Sequence, residues 1–309
     1  MKIVVTGGAG FIGANLAKHL LNIGVDEVHV LDNFSTGFRS NLSGVNVTTH
    51  EGSILDRELL DKAFDGAHSV VHLAARPSVP RSVKDPIASH DANATGTLYV
   101  LEAARKVGAH VTVASSSSVY GANPTLPKSE DLKPMPISPY AVSKLATESY
   151  ALSYQAVYDL PTLAFRFFNV YGPLQAAGHA YAAVIPAFLH NIVQGKPVVV
   201  QGDGKQTRDF TFIDTVASAL GQAAIEHKTA DTPVNLAFGT RHSLLEVIDV
   251  MSDLVGFNVE AEHVAPRVGD VRDSQADPGR IRKLLPLVEP VGIREGIKKT
   301  LKWHQSLPK

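Results

Sequence analysis

The chain has 309 residues, 44% of them hydrophobic, with a formal net charge of −1 and no cysteine. That length allows one large or two modest domains with a real core, and the composition argues against disorder. The near-neutral charge gives no electrostatic case for nucleic acid or an anionic membrane, and the missing cysteines exclude disulfides, thiolate metal sites and cysteine nucleophiles.

The first segment, Lys2 to Thr6, runs straight into a glycine turn and reads as a strand, not as a signal peptide. No apolar run approaches the ~18 residues of a membrane span, so a soluble cytoplasmic protein is expected. Further strands are expected at Glu27 to Leu31, Val45 to Thr49, Ser69 to Leu73, His110 to Ala114 and Thr162 to Phe168. They are short, rich in Val and Ile and close to continuously apolar, as strands covered on both faces should be. Between them, Ile12, Leu16, Leu20 and Ile23 mark one helical stripe, and Leu98, Leu101 and Val107 another. The alternation predicts an α/β fold, a doubly wound parallel sheet. Beyond Tyr171, Gly and Pro punctuate the chain. A hairpin-like segment is expected there, from Val198 to Val200 through Gly202-Asp-Gly204 to Asp209 to Ile213. A helix over Thr215 to Glu226, a strand over Val234 to Ala237 and a helix over Ser243 to Leu254 follow. The expected division is a dinucleotide-binding domain over 1–171 and a smaller α/β lobe over 172–309, with part of 214–238 packing back onto the first domain.

Thr6-Gly7-Gly-Ala-Gly10-Phe-Ile-Gly13 joins the first strand to the first helix. Glycines there allow a tight turn and close backbone approach to a pyrophosphate, which the free N–H groups of the helix then bind. Asp32 ends the second strand about twenty residues on, where a carboxylate binds the adenosine ribose diol and repels a 2′-phosphate. NAD is therefore expected over NADP, although Arg39 downstream offers a cation to a 2′-phosphate.

In Ser138-Pro-Tyr-Ala-Val-Ser-Lys144, Ser138 suits a helix N-cap and Pro139 its first turn. Tyr140 and Lys144 then lie one turn apart on one face. An ammonium beside a phenol favours the phenolate, which turns a tyrosine of pKa about 10 into a base usable near neutrality. The pair alone also fits a half-buried tyrosine beside a solvated lysine. The glycine fingerprint and the serine run Ser115 to Ser118, which follows the fifth strand, favour the catalytic reading.

Together, Gly7-x-x-Gly10-x-x-Gly13, His72-Leu-Ala-Ala75, Asn93 in Asn-Ala-Thr-Gly-Thr97, Ser115-Ser-Ser-Ser-Val-Tyr-Gly121 and Tyr140-x-x-x-Lys144 resemble the extended short-chain dehydrogenase/reductase family, in its NAD-dependent epimerase/dehydratase group. More narrowly they look like nucleotide-sugar 4-epimerases. The resemblance continues through Arg166-Phe-Phe-Asn-Val-Tyr-Gly-Pro173, Gly202-Asp-Gly204, Arg208-Asp209 and Gly269-Asp-Val-Arg272, and so covers nearly the whole chain. It implies that Gly7, Gly10, Phe11, Ile12 and Gly13 bind the pyrophosphate and that Asp32, Asn33, Ser35 and Gly37 line the adenosine ribose. Ser53 and Ile54 would flank adenine; many relatives carry an acid where Ser53 stands. Leu73, Ala74 and Ala75 would meet the central part of NAD, and Tyr140, Lys144 and Phe168 its nicotinamide half.

For catalysis the resemblance implies Tyr140 as base, Lys144 as its partner and Ser116 on the sugar 4-oxygen. C4 would be oxidised to a 4-keto sugar, the sugar would turn over in the pocket, and hydride would return to the opposite face. UDP-sugar contacts are implied for Ser78, Ser116, Tyr140, Asn169, Ala183, Val184, Val199, Gln201, Arg208, Arg267, Asp270 and Ser274. Serine at position 274 leaves room for an N-acetyl group, so UDP-N-acetylglucosamine is expected beside UDP-glucose. No metal is expected, and a homodimer is expected through helices beginning near Asn93 and Pro139. Dehydratases of the group have Asp-Glu where Ser117-Ser118 stand. Uronate 4-epimerases, the runner-up, usually carry an Arg near Ala176, and here none lies between Pro173 and His190. A net dehydrogenase would show stoichiometric NADH change. A non-catalytic NAD-binding regulator on the same fold is the remaining alternative.

Overall fold

The computed structural model describes residues 1–177, 182–265 and 272–307. In chain order the strands are β1 (Lys2–Thr6), β2 (Glu27–Asp32), β3 (Thr48–Glu51), β4 (Ser69–His72), β5 (His110–Ser116), β6 (Thr162–Phe167), β7 (Asn169–Tyr171), β8 (Val198–Gln201), β9 (Thr207–Phe212), β10 (Val234–Leu236), β11 (Arg241–Ser243) and β12 (Ala261–Val264). Seven of them form one sheet in the order β10-β6-β5-β4-β1-β2-β3, parallel at every pairing. The chain runs outward from β1 to β3, then crosses to β4 on the other side. The carboxyl ends of β1 and β4 thus flank the point where strand order reverses, the place such sheets leave open for a ligand.

β4 and β6 are buried along their whole length. Alternate residues feed opposite faces, as the strand period of two requires. Ile3 and Val5 pack with Leu16 and Leu20 of the Phe11–Asn22 helix and with Val216 and Leu220 of the Ile213–Ile225 helix. Val4 packs on the other face with Leu60, Val100 and Ala151, from the Arg57–Phe64, Gly96–Val107 and Pro139–Tyr158 helices. The doubly wound α/β fold is therefore as expected.

Three local expectations are corrected. The third strand begins at Thr48, not Val45, and is largely exposed, because it is the edge of the sheet. Val45 and Val47 pack on the core from the coil before it. Ile23 ends the first helix as its C-cap and is 48% exposed, so the buried stripe stops at Leu20. The segments around Gly202 and Gly204 are not a hairpin. β8 pairs in parallel with β12, whereas β9 lies between β11 and β7 in a separate sheet. Gly202 and Gly204 both have positive φ, 77° and 74°, and swing the chain from one sheet to the other. The strand at 234–236 lies beside β6 in the main sheet.

Ser138 caps the Pro139–Tyr158 helix by accepting from the Ala141 amide at 3.1 Å, with Pro139 in the first turn. Before it, Pro86–His90, a π turn over Asp91–Thr95 and Gly96–Val107 follow one another without a break. Among the described residues no helix is long and apolar enough to cross a membrane.

Candidate active site at the carboxyl edge of the sheet

A cleft of about 1390 Å³ opens at the carboxyl ends of the central strands. Sixteen residues set apart in the sequence for a cofactor line it: Gly7, Gly10, Phe11, Ile12, Gly13, Asp32, Asn33, Ser35, Ser53, Ile54, Leu73, Ala74, Ala75, Tyr140, Lys144 and Phe168. Ser116 lines it too. Gly37 does not. Its backbone lies against Ala9, where an added Cβ would stand 2.8 Å from the Ala9 carbonyl carbon.

The glycine turn is tight for identifiable reasons. Gly7 has φ +70°, and a Cβ there would meet the Ala74 amide nitrogen at 2.6 Å. A Cβ on Gly13 would meet the Gly7 carbonyl oxygen at 2.4 Å. Gly10 is the N-cap of the Phe11–Asn22 helix and supplies no side-chain cap, so the first-turn amides face the cleft. A backbone cradle at a helix N-terminus suits a pyrophosphate. Asp32 is 7% exposed, and its carboxylate accepts from the Ala9 amide at 2.9 Å and the Phe34 amide at 2.8 Å. Those bonds hold the acid at the rim with acceptor capacity left for a diol. Arg39 pairs with Glu51 at 2.5 Å and stacks over Phe34, so the cation that offered an alternative for a 2′-phosphate is tied to an acid.

Tyr140, Lys144 and Ser116 all line the cleft, and the Tyr140 hydroxyl is hydrogen-bonded with Ser116. Tyr140 is partly buried as a residue, and its hydroxyl is buried. Burial pushes the phenol above its ordinary value, and its hydrogen bond with Ser116 opposes that rise. The lowering of the phenol expected from Lys144 is thus opposed by the burial of the hydroxyl. Lys144 is 5% exposed, burial pulls it down to about 8, and its Nζ donates to the Ala114 carbonyl at 2.7 Å.

A buried polar lattice fixes this corner, and the sequence reading did not isolate it. His72 bridges Thr6 Oγ1 (2.7 Å) and Thr97 Oγ1 (3.0 Å). Burial, with the Lys144 charge, lowers His72 to about 3, so the ring is neutral. Asn93 Oδ1 accepts from the Arg76 amide at 2.7 Å, and its Nδ2 donates to the Ser143 hydroxyl at 3.0 Å. Thr97 and Thr147 both donate to the Asn93 carbonyl, at 2.6 and 2.9 Å. The signal available in the sequence was the spacing: Asn93 with Thr97, and Ser143 with Thr147, put polar groups one turn apart on helix faces that must meet the core.

Among the described residues, those assigned to the nucleotide sugar other than Ser116 and Tyr140 do not line the cleft. Ser78, at φ 94°, caps the short Val79–Lys84 helix. Asn169 Nδ2 donates to the Asp209 carbonyl at 3.1 Å. Ala183 and Val184 begin the Val184–Val193 helix. Val199 is 44% exposed between buried Val198 and Val200, and Gln201 follows it at the end of β8. Arg208 donates to the carbonyls of Thr207 and Arg272 at 2.9 and 2.8 Å. The Ser274 amide donates to the Thr207 carbonyl at 3.1 Å, which sets Ser274 beside the start of β9. Arg267 and Asp270 lie outside the described residues. Among the described residues no group of three or more His, Cys, Asp or Glu side chains is placed to hold a metal ion.

A model of the NAD dependent epimerase/dehydratase family matches residues 3–237. The UDP-glucose 4-epimerase of Mycolicibacterium smegmatis is 37% identical over 99% of this chain and 99% of its own. The solved UDP-N-acetylglucosamine 4-epimerase of Methanobrevibacter ruminantium, in complex with UDP-N-acetylmuramic acid, superposes with TM-score 0.92 at 33% identity, covering 98% of this chain and 97% of its own. The UDP-glucuronic acid 4-epimerase of Bacillus cereus, solved with UDP-glucuronic acid and NAD, gives TM-score 0.89 at 30% identity and 99% coverage of both chains. With the glycine cradle, the acid at the rim and the tyrosine–lysine–serine corner in one cleft, the chain belongs to the NAD dependent epimerase/dehydratase family.

Proposed function

We propose that the protein is a UDP-hexose 4-epimerase that interconverts UDP-glucose with UDP-galactose and also accepts the N-acetylated pair. The observation that carries this reading is that Tyr140, Ser116 and Lys144 line the same cleft as the glycine turn and Asp32. The amides after Gly10 would hold the pyrophosphate of NAD, Asp32 its adenosine ribose, and Lys144 with Phe168 its nicotinamide half. When bound, NAD⁺ supplies a hydride acceptor for the sugar C4 and gives the hydride back, so net redox is zero.

The chain's own part is proton handling and grip. Ser116 hydrogen-bonds the sugar 4-oxygen and the Tyr140 hydroxyl together. Tyr140, as phenolate, takes the C4 hydroxyl proton and returns it after the sugar has turned over. Ser116 favours that phenolate against the burial that opposes it. Arg208 and the family-matched Arg267 would meet the diphosphate. Incubation of purified protein with UDP-glucose, UDP-galactose, their N-acetylated forms and UDP-glucuronate, followed by NMR, tests the reading. Interconversion of the hexoses supports it. Turnover of UDP-glucuronate alone would replace it with the uronate reading, and no turnover at all with a non-catalytic one.

Tyr140→Phe should fold, bind NAD and lose at least about 10²-fold in kcat, the lower range of a general-base contribution. Retention of a tenth of the activity would remove the tyrosine from its role.

Lys144 has a second signature. Burial lowers its ammonium from 10.5 to about 8, so between those values the unfolded chain carries a proton that the folded protein has released. Stability from this group therefore rises with pH across that window, by the order of 3 kcal/mol. Urea unfolding at pH 8 and pH 10 should show that rise in the parent protein and its loss in Lys144→Met; equal slopes in both would refute it.

Ser274 is proposed to leave room for the acetamido group of the substrate. Ser274→Tyr should abolish N-acetyl turnover while UDP-glucose turnover survives, because a bulky side chain there overpacks the sugar C2 position. A parallel fall in both activities would place substrate choice elsewhere.

Homodimerisation is proposed through the helices that carry Asn93 and Tyr140. Val142, Tyr150 and Val157 are 54%, 39% and 65% exposed at helical spacing, and Ile87 is 73% exposed on the neighbouring helix. Sedimentation at micromolar concentration should give twice the mass of one chain, and a single-chain mass would overturn the assignment.

A further inference from the structure

We propose that the buried Glu148–Arg166 ion pair is a positioning device for the catalytic tyrosine: it fixes the register between the Pro139–Tyr158 helix and β5, and thereby sets Tyr140 against Ser116. The proposal rests on the reading of Tyr140 as base, and it concerns residues to which that reading gives no role.

Tyr140, Lys144 and Glu148 follow one another at intervals of four, one above the other on one helix face. Glu148 Oε1 accepts from Arg166 Nη2 at 2.7 Å, and Oε2 accepts from Arg166 Nε at 3.0 Å. Oε2 also accepts from the Ser115 hydroxyl at 2.7 Å, and that hydroxyl lies 3.2 Å from the Lys144 carbonyl. Ser115 and Arg166 are direct partners in the β5–β6 register, so one helix carboxylate holds two neighbouring strands. Ser115 immediately precedes Ser116. Four residues back along the helix, Lys144 Nζ donates to the carbonyl of Ala114, which precedes Ser115. Helix and strand are thus pinned by crossed bonds at Ala114 and Ser115, the two residues immediately before the catalytic serine.

Stability gives no sufficient reason for this arrangement. Both side chains are only 3% exposed. Taking such ions out of water costs several kcal/mol each, and a buried pair often does no better than apolar side chains of similar volume. Arg166 Nη1 is buried with no hydrogen-bond partner among the described residues. A few residues along the same helix, Ala151 and Tyr154 pack with the apolar core on the same side of the sheet. What an apolar contact cannot supply is direction. Sliding the helix by 1 Å would break three hydrogen bonds to Glu148 at once, whereas it changes a dispersion contact little. A base misplaced by about that distance can lose 10²-fold in rate.

The test uses Glu148→Leu/Arg166→Met, which removes both charges together, and Ser115→Ala, which keeps the pair and removes the Ser115 hydroxyl's bonds to Glu148 and to the Lys144 carbonyl. Three quantities are read: the urea midpoint, kcat with KM, and the titration of the Tyr140 Cζ resonance, identified by its loss in Tyr140→Phe. The double variant should keep the parent urea midpoint or exceed it, lose about 10²-fold in kcat with KM changed less than about twofold, and titrate Tyr140 at higher pH, because the Ser116 hydrogen bond is loosened. Ser115→Ala should move kcat and the titration the same way by a smaller factor, about tenfold in kcat. A stable variant of either kind with parental kcat and an unmoved Tyr140 titration overturns the proposal. Full turnover in Tyr140→Phe would instead overturn the tyrosine reading, and the Cζ titration would still report whether the pair positions that side chain.

Discussion

Lys144 is an ammonium held almost wholly out of water at the carboxyl end of β5, and its surroundings are arranged around the cost of keeping it there. Burial alone lowers it to about 8. A nearby histidine, His72, is neutral through its own burial, with the Lys144 charge acting the same way, and has hydroxyls of Thr6 and Thr97 on its two nitrogens. The lysine's own hydrogen bond goes to the main chain of β5 and not to the phenol. A charge in this position draws bound anions or hydroxyl groups more strongly than one in water would. The same desolvation raises the Tyr140 phenol, so the site holds two groups whose charged forms are both disfavoured by burial.

The polar core beside the Pro139–Tyr158 helix extends outward from there to the C-terminal segments. The Arg166 guanidinium lies 4.7 Å from the centre of the Tyr120 ring, and the Tyr120 hydroxyl donates to Asn235 Oδ1 at 2.7 Å. Asn235 Nδ2 donates to the Lys128 carbonyl at 2.7 Å, and that carbonyl also accepts from the Asp277 amide. Lys128 in turn donates its amide to the Gln275 carbonyl. Asp209, fully buried and pushed up to about 7 by that burial, accepts from the amides of Gly239 and Ala276 through one oxygen. The stretch that carries Ser274 is therefore tied to β9, to β10 and to the loop after Tyr120 by backbone groups. Changes in its side chains leave those backbone ties intact.

Motifs placed at turns and caps were readable because they act locally. Gly7, Gly10 and Gly13 predict a backbone cradle whatever the rest of the chain does, and the structure puts close contacts where their missing Cβ atoms would be. Ser138 and Pro139 predict a helix start, and the Ala141 amide meets the serine as expected. The order of β and α segments predicts the parallel sheet. The expected hairpin after Val198 failed for the complementary reason. Two strands separated by a glycine turn are neighbours in sequence, but β8 pairs with β12 more than sixty residues further on, and nothing local encodes a partner at that distance.

The sequence by itself determined the fold class, the tight glycine turn, the acid beside it and the tyrosine–lysine spacing, because each depends on spacing along one or two adjoining elements. Only the tertiary structure decided the surroundings of the tyrosine. Lys144 stands one turn away on the same helix, but burial raises the phenol and Ser116 opposes that rise, and desolvation is a property of everything packed around an atom. The partners of Glu148 were decided the same way. Alone it reads as one more polar residue on a long helix. It takes β5 and β6 lying side by side to bring Ser115 and Arg166 onto a single carboxylate.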